Sequence, residues 1–242
     1  MADAAPRRRR GVVVIVTVLV LALVAVGLVI GDGYARATAQ QQVAASLQND
    51  LGLEKPPTVE LGGTPFLAAL AQQTFPTARV KAEGVPLALQ GKTITADLVE
   101  ASLKTVHGNF QGTELRADEV AATVVLGWPA LVSLAGVPIE YVPDGRIGIS
   151  YSTSVFGQDV TARVTGRLVL DAAAQTLKIQ DPSIRVVGID LPAEVSKTLI
   201  DKLVTPIPMG LPAGLKATSI AIDAEHATLS AAGTNVDLFA LR

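Results

Sequence analysis

The longest apolar run in the chain lies near its N-terminus. Val12 to Ile30 carries no charge and consists almost entirely of Val, Leu, Ile and Ala. At about 1.5 Å of helix rise per residue, the run covers most of the roughly 30 Å hydrocarbon core of a bilayer. Arg7 to Arg10 precede it, and short Arg-rich flanks stay in the cytoplasm. The pattern predicts a basic cytoplasmic tail (1–11), a single-pass transmembrane helix (12–30) and an extracytoplasmic domain (34–242) on the periplasmic side of a cell membrane.

A cleaved secretory signal is the alternative interpretation of the same run. Signals also begin with basic residues and end in a small-x-small site, which Ala35-Arg36-Ala37 and Ala37-Thr38-Ala39 both match. The apolar core of a signal usually has about 7 to 15 residues, so the length favours an uncleaved signal-anchor. With cleavage the protein would be secreted, and the domain is exported in both cases.

Beyond this run the pattern predicts one helix and then mostly strands. Tyr34 to Leu51 has helical spacing, with Val43, Leu47 and Leu51 on one face. Alternation changes phase at Leu98-Val99, which predicts a bulge or a strand that changes the face it buries. Short connections predict antiparallel neighbours. Strands are predicted at 58–61, 78–89, 92–106, 114–126, 146–155, 159–170, 176–187, 217–223, 227–230 and 235–238.

Three short helices and one loop interrupt the strands. The first helix follows Gly62-Gly63, with Thr64 as the predicted N-cap and Pro65 as the first helical residue. The second is Trp128 to Ala135, and the third runs from Pro192 to about Val204. The loop from Thr205 to Leu215 carries no charge, which is unusual for a surface connection.

Composition excludes several function classes. The exported part carries 16 basic and 21 acidic residues, so it lacks the basic footprint of a nucleic-acid-binding protein. There is no cysteine, which removes disulfides, thiolate metal sites, thiol catalysis and a lipobox anchor. Burial alone must therefore hold the fold.

Candidate catalytic chemistry is sparse. His107 and His226 are the two histidines, and both are predicted to be solvated turn residues. Gly148-Ile149-Ser150-Tyr151-Ser152 lacks the second glycine of a nucleophile elbow. Phosphate-binding, dinucleotide, zinc-protease and calcium-loop motifs are missing as well. We therefore predict no enzyme, no metal site and no cofactor, and an enzyme acting on lipid is the least favoured interpretation.

Three segments are unusually apolar: Phe66 to Ala71, Trp128 to Ala135 and Ile207 to Leu215. They can plug the ends of a sheet as ordinary core. They can also line the mouth of an apolar cavity, because ligand sites are mostly apolar and an acyl chain needs such a slot. Tethering to a bilayer would make lipid the most concentrated apolar ligand.

The order of several features resembles the LmeA-like phospholipid-binding family of actinobacterial cell-envelope proteins. The features are the Arg-flanked apolar helix, Gly62-Gly63-Thr64-Pro65-Phe66-Leu67, Glu83-Gly84-Val85, the apolar loop ending Gly210-Leu211-Pro212-Ala213-Gly214-Leu215, and Ala231-Ala232-Gly233-Thr234-Asn235-Val236. The resemblance covers roughly 34 to 240. It implies an α+β fold in which a long bent antiparallel sheet wraps a helix, as in tubular lipid-binding domains. It also implies binding of phospholipids, phosphatidylinositol among them, and support for maturation of mannose-containing envelope glycolipids.

The resulting hypothesis is a membrane-tethered protein that binds a phospholipid acyl chain between sheet and helices. A module that holds or activates a membrane glycosyltransferase, without binding lipid itself, is the alternative. Apolarity and helical spacing predict the lining of the lipid slot as Phe66, Leu67, Leu70, Trp128, Leu131, Leu134, Val195, Leu199, Leu203, Ile207, Met209 and Leu211.

Overall fold

The computed structural model describes residues 30–89, 92–108, 115–155, 158–186, 206–209, 211 and 213–238. None of the helices in these ranges has both the length and the apolarity to cross a bilayer. The predicted anchor falls outside the described residues except for Ile30. The predicted helix at 192–204 lies outside them entirely.

Three helices are described. Helix α1 covers residues 30–51, α2 is Phe66–Ala71 and α3 is Trp128–Ala135. Each was predicted from the sequence, and the predicted apolar face of α1 is not part of the buried core. Val43 and Leu51 are exposed and Leu47 is half-buried. Leu53, just beyond the helix, is the side chain that enters the core, because Gly52 adopts a left-handed conformation (φ 64°) and turns the chain inward.

The first sheet, called sheet 1, has six antiparallel strands in the order β1-β2-β3-β4-β11-β10. Its strands are β1 Thr58–Leu61, β2 Thr74–Leu89, β3 Lys92–Gly108, β4 Leu115–Gly127, β10 Leu215–Ile222 and β11 His226–Asp237. Strand β2 begins four residues before the predicted start. The two short strands predicted at the end of the chain are one strand, β11.

The second sheet, called sheet 2, has five antiparallel strands in the order β5-β6-β7-β8-β9. Its strands are β5 Ile139–Val142, β6 Arg146–Val155, β7 Gln158–Asp171, β8 Thr176–Val186 and β9 Ile207–Pro208. The α+β class is confirmed, but the expectation of one continuous bent sheet is wrong. Helix α3 takes the chain out of sheet 1 directly after β4, and the next strands pair with one another instead.

The predicted change of phase in β3 is present and is shared by β2. The register has Glu83 opposite Leu98 and Val85 opposite Ala96, so no residue is gained or lost between the strands. Buried positions nevertheless shift by one residue on both strands at Gly84, whose φ is 64°. The two strands therefore change the face that they bury at the same point. The alternative, a bulge on one strand only, is not present here.

Two buried clusters hold the inner, apolar face of sheet 1. One surrounds Phe75 near α2, and the other surrounds Leu53 near α3. Buried members of the first are Ala78, Leu103, Val106, Ala117, Val120 and Val236, and those of the second are Leu53, Ala82, Val85, Ile94, Ala96 and Leu126.

One side chain joins the two sheets by making the two backbone hydrogen bonds that a neighbouring strand would make. Gln175, in the turn between β7 and β8, accepts a hydrogen bond from the Ala217 N–H at 2.7 Å and donates to the Ala217 carbonyl at 3.1 Å. The backbone carbonyl of Gln175 also accepts from the Met209 N–H at 3.0 Å. Strand β10 is irregular at Ala217, so its backbone groups are available to this partner.

Candidate functional site

Helix α1 is fixed to α2 by Asp32 and Arg36. The Asp32 carboxylate accepts a hydrogen bond of 2.8 Å from the Leu67 N–H and lies 3.7 Å from the Arg36 guanidinium. Arg36 also donates to the Gly63 carbonyl and lies 5.7 Å from the centre of the Phe66 ring. The predicted Thr64 cap is wrong, because Pro65 occupies the N-cap position and no local side chain caps the helix. Asp32 takes that role from a distant part of the chain.

These contacts change the acidity of Asp32. The backbone N–H groups of Leu67 and Phe66 hold the pKa of Asp32 below its ordinary value, and the charge of Arg36 acts in the same direction. Hydrogen bonds to an ionised carboxylate favour the charged form. The connection between α1 and α2 is therefore strongest when Asp32 is ionised.

Of the three predicted slot residues on α2, one lies in the core and two lie at the surface. Phe66 is completely buried, with its ring centre 5.6 Å from that of Phe75. Leu67 and Leu70 remain 42 % and 38 % exposed. Ile30 and Tyr34, in the first turns of α1, are exposed as well. The end of the domain at which the N-terminal segment enters therefore carries several large apolar side chains in contact with solvent.

Helix α3 carries the second group of predicted slot residues. Leu131 and Leu134 pack, half-buried, against the cluster around Leu53. Trp128 donates its indole N–H to the Ala224 carbonyl at 3.1 Å, and its ring centre lies 6.2 Å from that of Tyr141 on β5. No residue of α3 is fully buried, so the helix is a partly exposed apolar cover.

The two groups lie at opposite ends of sheet 1. Lys92, at the start of β3, donates to the Ser133 and Leu134 carbonyls that end α3, at 2.9 Å each. Gly108, at the end of β3, donates to the Gln73 carbonyl beside α2. Since a strand rises about 3.3 Å per residue, roughly 50 Å separates these ends. Phe66, Leu67 and Leu70 therefore do not share one pocket with Trp128, Leu131 and Leu134.

A continuous apolar strip connects the two ends along the inner face of sheet 1. Its central side chains are half-buried, although the clusters on either side are fully formed. We call these central residues the apolar strip: Val80, Val99, Ala101, Ala122 and Val124. The sequence analysis assigned them to strands but did not single them out, and the alternation of β2, β3 and β4 was the only signal available.

Helix α1 and Leu53, just beyond it, contact the inner face of sheet 1 on either side of the apolar strip. Arg36 contacts Phe66 at the α2 end, and Leu53 joins the core cluster at the α3 end, so both ends of α1 reach the inner face of sheet 1. None of the α1 residues is fully buried. The described residues therefore do not fully cover the strip.

The remaining predicted slot residues lie elsewhere. Ile207 is exposed on β9, at the edge of sheet 2, while Met209 and Leu211 are half-buried nearby. Val195, Leu199 and Leu203 lie outside the described residues. The role of all twelve residues in lipid binding stays a prediction.

The outer face of sheet 1 is polar. A hollow of about 420 Å³ lies over β1, β2 and β3, with the pairs Glu60–Arg79 and Lys81–Glu100 among its walls. A second hollow of about 560 Å³ contains His107 and Asp118, whose Nε2 and Oδ1 atoms are 3.5 Å apart. Charged walls of this kind do not suit an acyl chain. In the described part of the chain, no group of three or more acidic or histidine side chains could hold a metal ion.

Comparison with known proteins gives one match. The sequence model of a family described as LmeA-like phospholipid-binding matches residues 30–232. No curated protein and no solved structure matches the chain significantly. The matched range takes in α1, both sheets up to β11, α2 and α3.

Proposed function

This chain belongs to the LmeA-like phospholipid-binding family, and we propose that it holds a phospholipid with an acyl chain along the apolar strip, between sheet 1 and α1. The half-buried state of the strip between two complete core clusters is the observation that carries this proposal. An apolar surface left partly open gains stability when an apolar ligand covers it.

The dimensions of the strip can be compared with those of a lipid tail. The strip covers about 7 Å along β3, from Val99 to Ala101, and about 10 Å across the sheet from β2 to β4, at about 3.3 Å per residue and about 4.8 Å per strand. One acyl chain spans about half of a 30 Å hydrocarbon core, or roughly 15 Å. The strip therefore covers part of an extended tail, and the rest of the tail and the charged headgroup would lie beyond it.

The proposal includes the cellular setting predicted from the sequence. The arginine tail and the apolar run support a cell-membrane protein with a cytoplasmic N-terminus and an extracytoplasmic domain. In that position the domain would handle envelope lipid, phosphatidylinositol type included, and support glycolipid maturation without being an enzyme itself. A membrane glycosyltransferase would be its partner.

Photo-crosslinking tests the strip directly. The full chain is placed in phospholipid bilayers doped with a lipid that carries a photoreactive group on its acyl chain. Adjacent positions on β3 provide matched variants, because Ala101 packs against a buried cluster of the inner face and Ser102 is exposed. Ala101→Trp fills the strip and should lose the crosslinks to β2, β3 and β4, whereas Ser102→Trp should keep them.

Two results would contradict the proposal. One is equal crosslinking of the strip in both tryptophan variants, with circular dichroism showing that both are folded. The other is crosslinking confined to residues outside sheet 1. In the absence of any crosslink to the domain, the remaining interpretation is a protein-interaction module, and crosslinking to envelope membrane proteins becomes the informative experiment.

A further inference from the structure

The register of sheet 2 places arginine directly opposite arginine twice. Arg146 of β6 is opposite Arg167 of β7, and Arg163 of β7 is opposite Arg185 of β8. Directly opposed like charges destabilise a strand pair. Three of these side chains are exposed and Arg146 is half-buried. We call these four residues the arginine face.

Other contacts show that the four arginines share one side of the sheet. Thr165, between Arg163 and Arg167, hydrogen-bonds Ser183 on β8 at 2.7 Å, which places both hydroxyls on that side. A Cβ atom added to Gly148 would lie 3.3 Å from Arg163 Nε and 3.1 Å from Glu140 Oε1. The absence of a side chain at Gly148 therefore leaves space for Arg163 to reach across β6.

Local acids neutralise only part of this charge. Glu140 pairs with Arg163, and Asp171 pairs with Lys178. Arg146 donates to the backbone carbonyl of Asp181 at 3.2 Å, so that contact brings no opposite charge. Arg167 and Arg185 make no ion pair or hydrogen bond with the described residues.

In sheet 1 of the same molecule, three charged residues are paired with residues of opposite charge on neighbouring strands. On its outer face the register sets Glu60 opposite Arg79 and Lys81 opposite Glu100. Lys104 is opposite Glu119 and contacts it at 2.6 Å. Each of these three cations faces an acid, whereas the arginine face sets cations against one another.

We propose that the arginine face docks on the anionic phosphate surface of a phospholipid bilayer. Guanidinium groups bind phosphate oxygens through paired hydrogen bonds, and a dense phosphate surface removes the repulsion between opposed arginines. The four arginines lie on one side of three neighbouring strands, so an extended anionic surface can contact them together. This inference concerns the bilayer surface and does not require a lipid on the apolar strip.

A single fluorescent label tests the docking, because the native chain has no cysteine. Gln180→Cys places the label on β8 opposite Arg167, and Ser102→Cys places a control label on the outer face of sheet 1. The full chain is mixed with nanodiscs whose lipids carry a headgroup nitroxide quencher. The nanodiscs contain phosphatidylcholine alone or phosphatidylcholine with phosphatidylglycerol.

Docking predicts that the label at position 180 is quenched in the anionic nanodiscs and not in the neutral ones. Raising the salt concentration from about 0.1 M to 1 M should reverse the effect, since the Debye length falls from about 10 Å to 3 Å. The label at position 102 should respond in neither. Each arginine near an anionic surface strengthens binding about fivefold, so Arg167→Gln with Arg185→Gln should weaken the lipid-dependent quenching about 30-fold.

Two charge variants sharpen the test. Lys81→Gln with Lys104→Gln removes the same charge from sheet 1 and should leave the quenching unchanged. Glu140→Gln frees Arg163 and should strengthen it. Equal quenching at positions 180 and 102, or an equal loss in both double variants, would overturn the proposal. If docking fails while crosslinking to the apolar strip persists, the docking proposal is rejected and the lipid-binding proposal is retained.

Discussion

The Asp32 carboxylate on α1 accepts a 2.8 Å hydrogen bond from the backbone N–H of Leu67 on α2, 35 positions later in the chain. The start of α2 thus depends on a residue of another helix. Removing a helix cap typically lowers stability enough to shift the Tm of a domain of this size by about 2–4 °C. We expect Asp32→Ala, which leaves no side-chain acceptor for the Leu67 N–H, to lower the Tm by that amount.

Hydrogen exchange of the α2 amides is the accompanying measurement, and it should speed up in Asp32→Ala. Glu54→Gln removes an exposed carboxylate just beyond α1 and serves as the matched control. Similar losses in both variants would show that net charge, and not the cap, is responsible.

The cap also predicts a pH dependence. Because the pKa of Asp32 is lower in the folded protein than in the unfolded chain, its stabilising effect is complete above the unfolded value of about 3.9. The effect is lost as the pH falls through the lowered, folded pKa. The difference in unfolding free energy between wild type and Asp32→Ala should therefore be constant from pH 7 to pH 5, should shrink as the pH falls below the unfolded value of about 3.9, and should be lost below the folded pKa. A difference that grows with acidity would contradict the assignment.

Neighbouring residues of α2 should respond very differently to truncation. Phe66 is completely buried, so Phe66→Ala leaves a cavity and should cost about 3–5 kcal/mol of unfolding free energy. Leu67 is 42 % exposed, and Leu67→Ala should cost less than about 1 kcal/mol. Urea denaturation measures both. A large loss at Leu67 would mean that its side chain is covered by something that the described residues do not include.

The bridge between the sheets gives a further prediction. Gln175→Leu removes both hydrogen bonds to Ala217 and leaves its backbone N–H and carbonyl without those partners. Loss of partners for partly buried groups costs about 1–3 kcal/mol. Hydrogen exchange at Ala217 should accelerate, whereas the exposed neighbour variant Gln180→Leu should leave it unchanged. Unaltered exchange in Gln175→Leu would show that β10 is held by β11 alone.

Local pattern predicted the elements well. Helical spacing indicated α1, and short apolar segments bounded by glycine or proline indicated α2 and α3. Alternation indicated most strands of both sheets. These features depend on a few neighbouring residues, which is why a single sequence contains enough information to predict them.

Long-range relationships could not be predicted in this way. The Asp32 cap joins residues of two helices, and the opposed arginines of sheet 2 depend on the register of strands that pair in space. Likewise, the apolar segments of α2 and α3 share a composition but end up at opposite ends of a 17-residue strand, β3. Composition indicated apolar segments, and only the fold shows which of their residues are buried and which are exposed.

The place of β11 in sheet 1 affects how the protein is made. Strand β11 lies between β4 and β10, so β4 has a free edge until β11 arrives. It follows β4 by about 100 residues, and at roughly 5–20 residues per second the ribosome needs several seconds to supply it. During that interval the nascent chain exposes an unpaired strand capable of joining another chain. Newly made protein should therefore depend on a holding chaperone until translation has passed Asp237.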